Sequence, residues 1–405
     1  MSWNTVRLVR GLPREVRLLL AGTFINRFGT FIVPYLSIVL RRDFGLSAGV
    51  TGRLMLAYGT GSFFSILLGG WLTDRLGRRI TLAGSLLVSG TVATLLATAS
   101  SLPVFAALLL LYGFVADLYR PALTSSIADL LPSRDRVVGL AALRVAINLG
   151  VACGMVLGGF LAEWSWRVLF IGDGLTTILF GVLVTARLPE TAPRAPSGCD
   201  ARAAAAGSGP WRDPVLWELL AITLAIVLIF FNFLSTLPLT ITNRHPAWVS
   251  GAALGLNGLL CGVLEVPLAA ALRRFRRLRT AAVGTLFTGV GFALTGVLDH
   301  WAWYAFTVVL WTAGELLSMP QMLAFVTDWA PTPARGRYLG LYTATWSVGL
   351  ALNPPLFLPL QARLGDRAFW PLMLLLALPA AAFLLRLDRV DRPERLRGRT
   401  PDPES

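Results

Sequence analysis

Seven ionisable residues stand inside long apolar runs: Arg27, Asp117, Arg120, Arg144, Asp173, Glu265 and Glu315. A charge held within a bilayer costs a few kcal/mol or more, so such residues mark function by default. Three cations against four anions come close to balance, which suits mutual pairing around a watery cavity. A carboxylate in such a place can take up and release a proton, and an arginine that approaches or leaves changes how tightly the proton is held. Asp117 and Arg120, three apart, share one helix face. Glu265 lies two residues before Pro267, and Glu315 beside Gly314 and ahead of Pro320. Asp117 and Glu315 are the favoured proton carriers. The plain alternative for each pair is a static ion pair that holds helices together.

The elements that must position these residues are legible from composition. The 405 residues are 55% hydrophobic and only 14% charged, where a soluble domain carries roughly 25% charged residues. The apolar runs are continuous and span-length, which predicts an all-α polytopic membrane protein. A β-barrel would instead alternate apolar and polar in segments of about ten. Twelve spans are expected: 16–40, 48–72, 80–99, 102–128, 137–161, 166–187, 214–242, 248–271, 280–298, 302–327, 337–360 and 368–387. The first is long, holds Asn26-Arg27 and lacks a small-residue cleavage signal, so it reads as a retained span and not as a signal peptide. Segment 188–213 is rich in Pro, Gly, Ala and Ser and reads as a flexible linker. The chain thus divides into a bundle at 1–187, a linker at 188–213, a bundle at 214–387 and a basic tail at 388–405.

The net charge is +14, and all 36 basic residues are arginine. Their placement carries the topology. Twenty-six fall in the termini and alternate loops on one side, seven on the other, and three within spans. By the positive-inside rule both termini and the linker are cytoplasmic. No nucleic-acid module accompanies the charge. Cys153, Cys199 and Cys261 show no disulfide or metal spacing, His245 and His300 are lone loop residues, and no catalytic constellation is visible. No metal, cofactor or enzymatic activity is expected.

The halves repeat. Asp129, Pro132 and Arg136 recur as Asp328, Pro331 and Arg335, at the offset of 199 that also relates Pro121 to Pro320 and Gly150 to Gly349. Two parallel six-helix repeats place a substrate site between the halves, near the bilayer midplane.

Between the second and third spans stands Gly70-x3-Asp74-Arg75-x-Gly77-Arg78-Arg79. It resembles the signature loop of the major facilitator superfamily. In the fifth span, Gly150-x3-Gly154-x3-Gly158-Gly159 resembles the motif of that family's drug/proton antiporters, although Met155 stands where proline usually follows the second glycine. Asp117-Leu-Tyr-Arg120-Pro121 sits where the family often carries an arginine linked to proton coupling. The resemblance implies two pseudo-symmetric bundles that rock about a central site. It suggests that Asp74 meets the N-terminus of the eleventh helix near Gly336, while Arg78 pairs with Asp129, together forming a gate. Topology alone would explain the arginines but not Asp74 or Gly77.

The activity expected is proton-driven export of a hydrophobic or amphipathic small molecule from a bacterial cell by a monomer in the cell membrane. The alternative is uptake or facilitated diffusion of a polar metabolite such as a sugar. The fifth-span glycines form a smooth face for close helix approach, either as ordinary packing or as a seal between the halves. Phe24, Phe28, Tyr35, Phe63, Phe64, Phe230, Phe231, Phe233, Trp311 and Trp346 are candidates to line an apolar pocket. In the second half, the stretch Leu272–Arg277 keeps the hinge only as basic residues.

Overall fold

A chain inside hydrocarbon must satisfy its own backbone hydrogen bonds, so each apolar run folds as a helix. The computed structural model describes residues 11–132, 135–190, 210–272, 274–331 and 334–390. Most of the linker and of the basic tail therefore lie outside the described residues, as does Arg134.

Twelve long helices cross the molecule. In the first bundle they are α1 (Arg14–Arg42), α2 (Ala48–Leu76), α3 (Arg78–Thr98), α4 (Leu102–Leu130), α5 (Arg136–Trp164) and α6 (Trp166–Arg187). In the second they are α7 (Pro214–Thr242), α8 (Ala247–Leu272), α9 (Arg277–Leu294), α10 (Trp301–Trp329), α11 (Arg335–Leu364) and α12 (Pro371–Val390). Among the described residues, ten stretches are long and apolar enough to cross a membrane. The other two are α9, with 18 residues opening on Arg277 and Arg279, and α11, which carries Pro354, Pro355 and Pro359. The sequence places the ninth span at 280–298. The helix starts earlier and ends at Leu294, because the chain turns at Thr295, whose N–H bonds to the Phe292 carbonyl.

The first helix of each bundle is broken, and a side chain from elsewhere repairs the break. α1 interrupts at residues 29–31. Asp173 of α6 reaches in, and its Oδ2 accepts the N–H groups of Phe31 and Ile32, each at 3.2 Å. These are orphan donors of a new helix start, where a carboxylate is favoured. α7 interrupts at a 3₁₀ turn over Phe231–Phe233. There Asn353 of α11 donates to the Leu228 carbonyl at 2.7 Å and accepts from the Ser235 hydroxyl.

The two bundles meet along two seams, α2 against α11 and α5 against α8. Call the end that carries the α2–α3 turn the arginine-rich end. In the first seam, a Cβ at Gly52 would lie 2.7 Å from the Pro355 Cα, and one at Gly59 2.7 Å from the Ala351 Cα. Toward the arginine-rich end, the Cβ positions of Gly70 on α2 and of Gly336 and Gly340 on α11 face open space, with nothing within 4 Å.

Candidate functional site

The hinge is built as tightly as its glycine suggests. Gly77 has φ +93°, a conformation that side chains rarely adopt. It lets α2 end at Leu76 and α3 begin at Arg78. Arg78 Nε then lies 2.6 Å from Asp129 Oδ2 at the foot of α4. Arg79 donates to the Thr185 carbonyl at 2.5 Å, and its N–H to Glu190 Oε1 at 3.2 Å, so α6 is drawn in as well. Arg75 stacks over the Trp71 ring, 4.6 Å from its centroid. Asp74 is exposed and has no hydrogen bond or ion pair among the described residues, and Gly70 faces open space. All the contacts made here lie within the first bundle and the start of the linker.

The seven charged residues divide into two groups. Asp117 is buried at a break in α4: it pairs with Arg120 Nε at 2.6 Å, accepts from the Ser62 hydroxyl of α2, and its N–H reaches Ser65 Oγ at 3.2 Å. Arg27 sits nearby on α1, bonded to the Tyr119 hydroxyl, with its guanidinium 5.6 Å from that ring's centroid. Asp173 is bound up in α1 as described, and Thr177 beside it accepts from Asn26 at 2.8 Å. These four belong to the first bundle's own network.

The remaining three come together across the α5–α8 seam. Arg144 of α5 pairs with Glu265 of α8, and Asn148, one turn on, donates to the same carboxylate at 3.3 Å. Glu315 of α10 accepts from Asn257 Nδ2 at 2.8 Å. Arg144, Glu265 and Glu315 line one cavity of about 360 Å³ with Cys261, Tyr342 and Trp346. Glu265 lies seven residues before the end of α8 at Leu272, about 10 Å from the arginine-rich end at 1.5 Å per residue. Glu265 is therefore bound by ionic and amide partners, whereas Glu315 has a neutral amide partner and an open face.

Three of the four fifth-helix glycines pack within the first bundle, and the fourth meets the second. A Cβ at Gly150 would lie 2.7 Å from the Phe24 carbonyl, Gly154 packs on Phe28, and Gly158 lies against Tyr35 and Phe31, all on α1. Only Gly159 meets the other bundle, at the Trp248 Cα. The α5–α8 seam is smooth because of α8: Gly251 packs on Met155, and Gly255 and Gly258 on Ala152. Met155 is buried in this seam, and its carbonyl accepts from the Tyr35 hydroxyl.

A model of the Major Facilitator Superfamily matches residues 19–354 and 249–403. The chain belongs to the major facilitator superfamily, a family of membrane transporters and not of enzymes. This facilitator is 25% identical to the MFS-type transporter YhjO of Bacillus subtilis over 84% of each chain. It is 24% identical to a Na(+), Li(+), K(+)/H(+) antiporter of Planococcus maritimus, over 88% of this chain and 92% of that one. A crystal structure of a peptide transporter POT with sulfate superposes with a TM-score of 0.79, covering 96% and 99% of the two chains at 17% identity, a likeness of fold alone.

Sequence reasoning missed Asn148, Asn257 and Cys261 of this facilitator, because one amide or thiol in an apolar run looks like filler. Their signal was spacing: Asn257, Cys261 and Glu265 recur every four residues of α8, on one face. Trp346 does line the cavity, whereas Trp311 is fully buried in the core. Among the described residues, no group of three His, Cys, Asp or Glu side chains is placed to hold a metal.

Proposed function

We propose that the protein is a secondary transporter that exports a hydrophobic or amphipathic small molecule, cationic forms included, in exchange for inward-moving protons. One observation carries this reading: the cavity between the bundles presents Glu315, held by neutral Asn257, beside Tyr342 and Trp346. A carboxylate with no cation within ion-pair distance among the described residues can hold either a proton or a cationic substrate, and aromatic faces attract cations and apolar groups alike. Mutual exclusion at one carboxylate is exchange. The antiporter relative supports exchange against protons as the mode. The arginine-rich end is taken as cytoplasmic, with both termini there, so the cavity lies nearer the cytoplasmic side, with Glu265 seven residues from the end of α8. The protein acts as a monomer in a bacterial cell membrane.

In this reading Arg144–Glu265 is the tie between bundles that must break and re-form as they rock. Asp74 awaits the N-terminus of α11, whose N–H groups favour an anion, and engages it when the cytoplasmic end closes. Asp117–Arg120 and Asp173 hold helices together, so Glu315 is the proton carrier.

The test is transport in proteoliposomes with tetraphenylphosphonium as probe and an imposed pH gradient. Glu315→Gln is expected to abolish gradient-driven movement while leaving exchange without a gradient measurable, and Asp117→Asn to keep gradient coupling. Full coupling in Glu315→Gln would overturn the assignment.

A further inference from the structure

A second cavity, of about 560 Å³, lies between the bundles at the end opposite the arginine-rich one. Its walls come from different bundles and carry opposite charge. Arg41 and Arg42, in the last turn of α1, form one wall. Asp366, just after α11, forms the other with Gln361 and Asn243. Ile38, Leu239 and Leu358 give it an apolar floor drawn from both bundles.

The charged groups are placed by the fold. Arg41 Nη1 donates to the Leu46 carbonyl at 2.9 Å, which anchors one side of its guanidinium and leaves its other donors without a hydrogen-bond partner among the described residues. Gly365, at φ +71°, ends α11 and starts the short helix Asp366–Phe369. Asp366 Oδ1 is then gripped by Gln361 Nε2 at 2.9 Å and Thr240 Oγ1 at 3.0 Å. Among the described residues Asp366 has no cationic partner in hydrogen-bond reach, and Arg41 and Arg42 have no carboxylate partner within ion-pair distance. Asp43, next to Arg42, lies outside the lining. Arginines at helix ends ordinarily snorkel to lipid headgroups. These two line a cavity between the bundles, opposite an anion they do not touch.

We propose that this cavity binds a small zwitterion: its carboxylate on Arg41 and Arg42, its ammonium on Asp366, and a short methylene chain over the apolar floor. Such a ligand joins the bundles at the end where they already meet. It binds this conformation in preference to one opened at that end, and so it slows the transport cycle. The site is distinct from the Glu315 cavity, so a failure here leaves the exchange reading untouched.

The probes are ω-amino acids with two to five methylenes, with alkylamines and alkylcarboxylates of equal length as single-charge controls. The expected result is a saturable rise in the Tm of the purified protein with one or two of the amino acids and with neither control. The same compounds, added on that side of proteoliposomes, slow tetraphenylphosphonium transport. Arg42→Gln and Asp366→Asn each abolish the Tm response; Arg42→Gln, outside the Asp366 hydrogen bonds, keeps the test valid if Asp366→Asn misfolds. No saturable shift with any amino acid, an equal shift with a single-charge control, or an undiminished shift in Arg42→Gln would overturn the proposal.

Discussion

At the arginine-rich end, the two bundles use the same strut and differ in the hinge that carries it. Arg78 of α3 pairs with Asp129 of α4, and Arg277 of α9 pairs with Asp328 of α10. Both residues are shifted by 199, so the ion pair itself is repeated. Each strut also has a second arm to the last helix of its bundle. In the first, Arg79 reaches the end of α6. In the second, Arg276 and Arg279 both hold Asp388 of α12, at 3.1 and 2.8 Å. The hinges diverge. The first turns at Gly77 with φ +93° and has a spare acid in Asp74. The second enters α9 through Arg276 at an ordinary extended φ of −68°, with neither glycine nor acid in the turn. The struts therefore hold each bundle together, and the first hinge adds an acid, Asp74, that has no partner among the described residues.

Four measurements would break or sharpen that contrast. Asp74→Asn should lower transport roughly tenfold or more, about 1.4 kcal/mol at the limiting barrier, with insertion and Tm unchanged. Normal flux would leave the asymmetry without a use. Gly77→Ala should destabilise the first bundle by about 1–3 kcal/mol, because a side chain must take up a strained backbone conformation, and its Cβ would lie 2.6 Å from Glu190 Oε1. No glycine stands at the second hinge to be tested in the same way. A Tm within error of the parent would mean that the turn relaxes.

The struts themselves should differ by burial. Arg78 is 14% exposed and Asp129 35%, against 40% and 62% for Arg277 and Asp328. Arg78→Gln should cost about 1–2 kcal/mol, above the range of exposed pairs because the Arg78 side chain is shielded from water. Arg277→Gln should cost about 1 kcal/mol or less, as exposed pairs do. Equal losses in denaturation would show that exposure is not what distinguishes them.

The smallest effect is expected at the other end of the second bundle. There Asp299, between α9 and α10, meets Arg244 at 3.1 Å, His245 at 2.9 Å and the Tyr304 hydroxyl at 2.9 Å. Partial burial pushes its carboxyl up. Hydrogen bonds from Tyr304, His245 and Arg244 outweigh that and hold it below the usual carboxylate range. A depressed group stabilises the fold above its unfolded value, about pH 4, and loses that contribution as pH falls through its lower folded value. Asp299→Asn should therefore lower Tm slightly at neutral pH, by about 1–2 °C, and flatten the acid side of the Tm profile. An unchanged acid slope would assign it to other carboxylates.

Much of the fold was legible because span length and arginine placement are properties of local composition. The first hinge was legible because topology alone gives Asp74 and Gly77 no reason to stand where two spans join. The second was read as basic residues alone, since its acid partners, Asp328 and Asp388, lie 51 and more than 100 residues away. The break in α1 was hidden, because Gly29-Thr30 is unremarkable until Asp173 is seen filling the orphan donors. Asp117 and Glu315 look equivalent along the chain, yet one is enclosed by Ser62 and Arg120 while the other lines a cavity.

By itself the sequence determined that this is a twelve-helix membrane protein of two repeats with one charged, glycine-based hinge. Water exclusion acts on every residue of a span, so its mark is spread along the chain and survives without a fold. Only the tertiary structure decided which charges meet. It joined Arg144 to Glu265 across the bundles, left Glu315 open and Asp74 unpartnered, and gave the smooth seam to the glycines of α8. Such pairings depend on the rotation and height of neighbouring helices, which no single segment records.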